Sequence, residues 1–173
     1  MKTETFIRAR WQAKTLTMAG LLGATSIVLG VTPLGFIPVP SAAGHATIMH
    51  VPAIIGGVLE GPQVGALTGL IFGLHSLMRA SNPLFADPLV AILPRILIGI
   101  VAHWVYRITK SDGLAAAFGT MANTGGVMAL GVLKGYITGP VAWGIAITHG
   151  IPEVVVAVVI TVVISRSLRK IRR

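Results

Sequence analysis

The sequence predicts an all-α membrane protein, a bundle of six transmembrane helices with both termini in the cytoplasm. Composition is the first reason, since 54% of the residues are hydrophobic, only 11% are charged and the mean hydropathy is +0.83. Length is the second, because 173 residues leave room for about six spans of roughly 20 residues with short loops. The third is the placement of Lys and Arg around the apolar segments. We therefore expect a single integral membrane domain over residues 1–173.

The first three apolar segments end at residues that break helices. Segment one is followed by Pro33, which cannot continue a helix, and by a loop rich in Gly, Pro and Ser that reaches Gly44. Segment two stops at the turn Glu60-Gly61-Pro62, and segment three ends near Arg79. The predicted spans are about 16–31, 46–59 and 64–77.

The last three segments are bounded in the same way. A loop from Ala80 to Pro88 precedes segment four, which closes at the polar stretch 107–113. Segment five ends at Gly139-Pro140, and the basic tail 165–173 follows segment six. The predicted spans are about 89–106, 114–137 and 143–164.

Basic residues indicate which side of the membrane holds the termini. An even number of spans puts both termini on one side, and the positive-inside rule identifies that side as the cytoplasm. The loops after segments one, three and five then face outward, and the first and third are the longest candidates for gates over a cavity. Eleven of the fourteen Lys and Arg residues fall on the cytoplasmic side: Lys2, Arg8, Arg10, Lys14, Arg107, Lys110, Arg166, Arg169, Lys170, Arg172 and Arg173.

Three cations do not follow this rule and are predicted on the outward side, namely Arg79, Arg95 and Lys134. A cation in or beside hydrocarbon costs about 2.5 kcal/mol or more unless something pairs with it. Together they indicate a cavity that receives an anion, with Arg95 able to fork onto a carboxylate. Simpler interpretations stay open: Arg95 could reach the outer interface or pair with Asp87, Lys134 could snorkel, and Arg79 could be solvated.

Polar side chains in or beside the spans are the other candidates for substrate binding, since such residues generally face the bundle interior or a cavity. His149 and Glu153 lie one helical turn apart and share a face, where they could bind substrate or only join helices. His45 and His50 suggest a metal, but no HExxH motif or Cys accompanies them, so we predict no metal site. The candidates are His50, His75, Asn123, Thr124, His149 and Glu153, besides Arg95 and Lys134.

Small residues recur at helical spacing in two segments. In segment three a glycine occurs every four residues from Gly61 to Gly73, which predicts close helix packing inside the bundle. Segment one carries two overlapping small-residue pairs, which could pack inside the bundle or against a different membrane protein. These pairs are Ala19 with Gly23, and Gly20 with Ala24.

Several classes of function are excluded. No Walker A, Rossmann or nucleophile-elbow pattern occurs, so the chain is predicted not to be an enzyme and not to hydrolyse nucleotide itself. There is no Cys, which excludes a thiolate metal site. The net charge of +9 is explained by residues flanking apolar spans, so no nucleic-acid partner is expected.

Three stretches carry a family resemblance: Met49 to Gly57, Gly61 to Ser76 and Leu93 to Gly99. They resemble the substrate-binding S component of energy-coupling factor (ECF) vitamin transporters, and the pantothenate group most. Folate-type members are the next most similar. The nickel and cobalt relatives need a Met-His pair at the N-terminus, where this chain has Met1-Lys2. Aromatic residues make up only 6% of the chain, which favours pantothenate, a small anion, over folate with its large ring system.

The resemblance implies a six-helix protein of the prokaryotic inner or plasma membrane, with an outward vitamin pocket under the first, third and fifth loops. It also implies a transmembrane coupling protein and two cytoplasmic ATPases, which use the ATP, so that no cofactor binds this chain. Family members present small residues of helix one to the coupling protein, a role open here to either small-residue pair. Another vitamin is one alternative, and a membrane scaffold subunit that transports nothing is another.

Overall fold

The computed structural model of this chain describes residues 2–38, 45–80 and 82–171, and over them it is an all-α membrane protein. A short 3-10 turn, Pro33–Gly35, leads into a two-stranded antiparallel hairpin of β1 (Phe36–Pro38) and β2 (His45–Thr47). The helices are α1 Lys2–Val31, α2 Val51–Leu59, α3 Pro62–Met78, α4 Pro83–Ala86, α5 Pro88–Thr109, α6 Asp112–Leu133, α7 Gly139–Thr148 and α8 Gly150–Ile171.

Four helical stretches within the described ranges are long and apolar enough to cross a membrane. They are Gln12–Val31, Pro88–Thr109, Asp112–Leu133 and the combined stretch Gly139–Ile171. The helices in the second and third predicted spans are shorter, with 9 residues in α2 and 17 in α3. A helix needs about 20 residues to cross the hydrocarbon core without distortion.

Three predicted spans differ from the helices that form. The second does not begin as helix at residue 46, because residues 45–47 pair with β1 and α2 starts only at Val51. The fifth ends at Leu133 and not at 137, because Gly135 turns the chain with a φ of +76°. The sixth is divided between α7 and α8, which meet at His149.

Helix α2 lies at the centre of the bundle. All of its residues from Val51 to Val58 are buried, and Ile54 is completely inaccessible. It packs against α1, α3, α5, α6 and α8, and its Gly57 carbonyl is 3.0 Å from Nδ1 of His103 on α5. The short helix is therefore shielded by the longer ones.

The glycine ridge of α3 packs against α5, which confirms the predicted close packing inside the bundle. A Cβ atom on Gly65 would lie 2.7 Å from the Cα of Gly99, and one on Gly73 would lie 3.0 Å from the carbonyl oxygen of Ala91. Between them, Gly69 faces the backbone carbonyl of Arg95. Small residues at this spacing let helix backbones approach closely and gain dispersion contacts. The ridge thus fixes the register of α5, and with it the position of Arg95.

Helices α6 and α8 are joined at the end of the bundle opposite the hairpin. Arg169 donates two hydrogen bonds to Asp112, Nη1 to Oδ2 at 2.9 Å and Nη2 to Oδ1 at 2.7 Å. Its guanidinium also lies 4.7 Å from the ring centroid of Tyr106 on α5. This bidentate pair is the geometry in which arginine binds a carboxylate most strongly.

Candidate functional site

Arg95 is buried inside the bundle, with 4% of its surface exposed. Pro94 has no backbone N–H, so the carbonyl of Val90, one turn earlier, lacks its helical donor. Nη1 of Arg95 donates to that carbonyl at 2.7 Å, while Nε has no partner among the described residues. The guanidinium therefore neither reaches the surface nor pairs with Asp87, the two simpler interpretations of the sequence.

Two phenylalanine rings flank this guanidinium. Its carbon lies 5.0 Å from the ring centroid of Phe85 on α4 and 5.6 Å from that of Phe72 on α3. Cations over aromatic faces at such distances are stabilised, more so when desolvated. The rings hold the charged head in place and leave part of its hydrogen-bonding capacity unused.

Glu153 joins three separate elements at the hairpin end of the bundle. It is 7% exposed and sits in the first turn of α8. Its Oε1 accepts hydrogen bonds from the backbone N–H of Thr47 at 3.0 Å and from the Thr47 hydroxyl at 3.1 Å. Its Oε2 accepts one from the Thr124 hydroxyl on α6 at 3.0 Å. The carboxylate is thus hydrogen-bonded through both oxygens.

His50 and Asn123 are two further buried polar side chains. His50, the N-cap residue of α2, is completely buried, and its Nε2 is 3.0 Å from the Thr120 hydroxyl. Asn123 is 8% exposed and follows Thr120 by one turn on the inner face of α6. The charge of Glu153 acts on both His50 and Arg95, so these residues share one electrostatic environment.

This binding cluster, defined as Arg95, His50 and Asn123 and bordered by Thr124 and Glu153, contains unused hydrogen-bonding atoms. Nε of Arg95, Nδ1 of His50 and Oδ1 of Asn123 are buried and have no partner among the described residues. A buried polar atom left unpaired costs about 1–3 kcal/mol and calls for an explanation. Free hydrogen-bonding atoms from three different parts of the chain are what a small polar ligand would require.

Two residues that orient Glu153 and His50 were not predicted from the sequence, namely Thr47 and Thr120. Thr120 lies three and four residues before Asn123 and Thr124, so helical spacing alone could have put the three on one face. No comparable signal marks Thr47, because its contact with Glu153 spans 106 residues of sequence.

Lys134 lies apart from the binding cluster. Its Nζ is 3.1 Å from Oδ2 of Asp87, which also accepts a hydrogen bond from the Tyr136 hydroxyl at 3.1 Å. Oδ1 of Asp87 caps α5 by accepting from the N–H of Leu89 at 2.9 Å. The hydrogen bond from Lys134 lowers the pKa of Asp87, and the bond to Asp87 raises the pKa of Tyr136. This group ties the start of α5 to the end of α6.

The remaining predicted residues have other surroundings. His75 lies beside Gly30 and Met49, and neither of its ring nitrogens has a partner among the described residues. His149 is 8% exposed, with Nδ1 3.3 Å from the hydroxyl of Thr148. Arg79 is exposed at the end of α3. No group of three His, Cys, Asp or Glu side chains able to hold a metal occurs in the described ranges.

The two small-residue pairs of α1 face different surroundings. Ala19 is buried, and a Cβ on Gly23 would lie 2.6 Å from Cδ1 of Ile71, so this pair packs on α3. Gly20 and Ala24 are exposed, and a Cβ on Gly20 would meet nothing within 4 Å. The exposed pair is thus available to another protein, and the buried pair is not.

An apolar groove of about 470 Å³ runs between α6, α7 and α8. Its walls include Met121, Trp143, Ile147 and Val155, each more than half exposed. Thr120 and Thr124 also line it, while their hydroxyls bond to His50 and Glu153. The binding cluster is therefore separated from the groove by little more than one face of α6.

Comparison with known proteins relates the chain to a transporter family. Residues 14–165 match the family described as "ECF transporter, substrate-specific component". The "Pantothenic acid transporter PanT" of Lactococcus lactis subsp. cremoris (strain MG1363) is 31% identical to the chain, over 86% of each protein. The "Pantothenate transporter PanT" of Leuconostoc mesenteroides subsp. mesenteroides is 30% identical, over 61% of this chain and 58% of the relative.

Proposed function

This chain belongs to the family of substrate-specific components of ECF transporters, and we propose that its substrate is pantothenate, bound in the cluster around Arg95. The resemblance predicted from the sequence is thereby confirmed at the level of the family. Membership makes the chain part of a transporter, which is not a class of enzyme. Both relatives described above are named as pantothenate transporters, which supports the choice of vitamin.

The observation that carries the proposal is the unused hydrogen-bonding capacity around one buried cation. Pantothenate carries a carboxylate, an amide and hydroxyl groups. Its carboxylate suits the free Nε side of the Arg95 guanidinium, which also matches a carboxylate in shape. Its amide and hydroxyls suit Nδ1 of His50 and Oδ1 of Asn123. A substrate with two carboxylates would leave one of them without a cation among the described residues of the cluster.

We propose that the chain spans the membrane six times as one domain, through α1, α2, α3, α5, α6 and the pair α7–α8. The 9 residues of α2 are compatible with this, because α2 is buried among longer helices. The 17 residues of α3 come close to the roughly 20 residues that a span requires. The basic residues of α1 and α8 support a cytoplasmic location for both termini, with the hairpin end facing outward. The location is the inner or plasma membrane of a prokaryote.

We further propose that a transmembrane coupling protein and two cytoplasmic ATPases complete the importer. The exposed pair Gly20 and Ala24 is the part of α1 that suits docking of the coupling protein, because Ala19 and Gly23 are already packed on α3. ATP is used by the ATPases, and this chain binds no cofactor or nucleic acid.

A binding panel tests the choice of substrate. The purified chain in detergent is titrated with radiolabelled pantothenate, folate, riboflavin, thiamine and biotin, and its folding is followed by a thermal melt. We expect saturable binding of pantothenate, with weaker or no binding of the others. Tight binding of folate would favour a folate S component. A folded chain that binds none of them would favour a scaffold subunit, in which the polar groups only join helices.

A further inference from the structure

We propose that Glu153 is a positioning residue: it fastens strand β2 to α8 beside the binding cluster, and substrate enters and leaves only when these hydrogen bonds open. The proposal rests on the function proposed above. It changes the role predicted for Glu153 from a substrate ligand to a residue that holds β2 on α8. Its starting point is access. The three unused atoms of the cluster, on Arg95, His50 and Asn123, are buried, so some element must move before a ligand can reach them.

Strand β2 is the element best suited to move. It has three residues, pairs with β1 and packs on α8. The helices around the cluster are held by extensive packing, whereas the hydrogen bonds that join β2 to α8 within the described ranges all involve one side chain, Glu153. Only Ile48 and Met49 separate β2 from His50 in the sequence, so movement of Thr47 bears directly on the buried imidazole.

The hydrogen bonds of Glu153 also suit the attachment of β2 to α8 better than the binding of an anion. Both carboxylate oxygens already accept hydrogen bonds, from the N–H and hydroxyl of Thr47 and from the hydroxyl of Thr124. Such charge-assisted bonds are roughly twice as strong as neutral ones. An anionic substrate held by Arg95 would be repelled by Glu153, whose charge already acts on that arginine. A direct contact between Glu153 and the substrate carboxylate is therefore unfavourable.

Exchange kinetics of substrate separate the two roles. The association and dissociation rates of radiolabelled pantothenate are measured for the wild-type chain, Glu153→Gln and Thr47→Val in detergent. If Glu153 fastens β2, Glu153→Gln raises both rates, each by about three- to tenfold, because neutral hydrogen bonds replace charge-assisted ones. Kd then changes less than either rate. Thr47→Val, which loses one of the three bonds, shifts both rates in the same direction but less.

A substrate contact would behave differently. Glu153→Gln would then raise dissociation and Kd in parallel and leave the association rate unchanged, and this result would overturn the proposal. Thr161→Val is the matched control, because Thr161 lies about two turns along the same face of α8, is completely buried and has no hydrogen-bond partner among the described residues. We expect wild-type rates for this variant.

Hydrogen exchange without substrate tests the fastening independently of the vitamin. Amides of residues 45–48 are expected to exchange faster in Glu153→Gln than in the wild-type chain, while those in the middle of α5 stay unchanged. Unaltered exchange in residues 45–48 would refute the proposal even if pantothenate binds. Failure of the wild-type chain to bind pantothenate would instead refute the proposed substrate, and the exchange result would still decide whether Glu153 holds β2.

Discussion

Replacing Arg95 tests the proposed anion site most directly. The guanidinium is 4% exposed, lies between two phenylalanine rings and, among the described residues, makes one hydrogen bond, to the carbonyl of Val90. Arg95→Met keeps a long apolar side chain between the rings but removes the charge. Loss of a hydrogen bond to a charged group costs about 1.5–3 kcal/mol, so the Kd for pantothenate should rise about 10- to 150-fold. Arg95→Lys should recover only part of this loss, since an ammonium lacks the planar fork.

Titration with radiolabelled pantothenate measures the effect, with a thermal melt for each variant. The melt is needed because the variant also leaves the Val90 carbonyl without a donor, which Pro94 cannot supply. Arg79→Ala is the matched control, since Arg79 is an exposed cation predicted on the same side of the membrane. A folded Arg95→Met protein with the affinity of the wild type would show that the anion is not bound by Arg95.

Two further predictions concern α1 and the hairpin end of the bundle. Ala24→Leu should lower ATP-driven uptake by the reconstituted complex and leave the pantothenate affinity and the melting temperature unchanged, because Ala24 is exposed. Gly23→Leu should instead lower the melting temperature, because the new side chain would collide with that of Ile71. Equal loss of uptake and binding in Ala24→Leu would count against a docking role for this face. The second prediction is a pH dependence of stability. In the folded protein the pKa of Asp87 lies below its ordinary value of 3.8, chiefly through the hydrogen bond from Lys134. The ionised Asp87 therefore stabilises the fold above pH 3.8, and this stabilisation is lost as the pH falls through the folded pKa. The difference in melting temperature between the wild type and Asp87→Asn should be constant from about pH 5 to about pH 7, because this range begins about one unit above the ordinary pKa. It should shrink below pH 3.8. A difference that stays constant in acid would mean that the ion pair does not stabilise the fold.

Local patterns in the sequence predicted the features that depend on neighbouring residues. The four-residue glycine repeat predicted close packing because one helix face carries it, and α5 packs against that face at Gly65, Gly69 and Gly73. Gly61 precedes α3 and faces open space. The burial of Arg95 also depends partly on a neighbouring residue, since Pro94 leaves free the Val90 carbonyl that accepts the hydrogen bond from Arg95. An arginine directly after a proline within an apolar span is therefore a stronger signal than its charge alone.

Features set by distant parts of the chain could not be predicted in the same way. The hairpin replaced the start of the second predicted span because residues 45–47 find their partners in β1, and strand pairing is not encoded in apolar periodicity. The sequence predicts that Lys134 binds an anion or snorkels, whereas in the structure it pairs with Asp87, 47 residues earlier in the sequence. Charge patterns indicate which side chains need a partner and leave open which partner they find.

The double attachment between α6 and α8 restricts how a bound molecule could pass to the other side of the membrane. One attachment is Thr124 to Glu153 and the other is Asp112 to Arg169, about 18 Å apart along α6. Two helices pinned at both ends move as one rigid body, and the bond between Arg169 and Asp112 has the bidentate geometry in which arginine binds a carboxylate most strongly. A channel that opens between them would have to break both attachments. Reorientation of the whole bundle in the lipid would break neither, and the exposed face of α1 would remain free to slide along a partner during that motion.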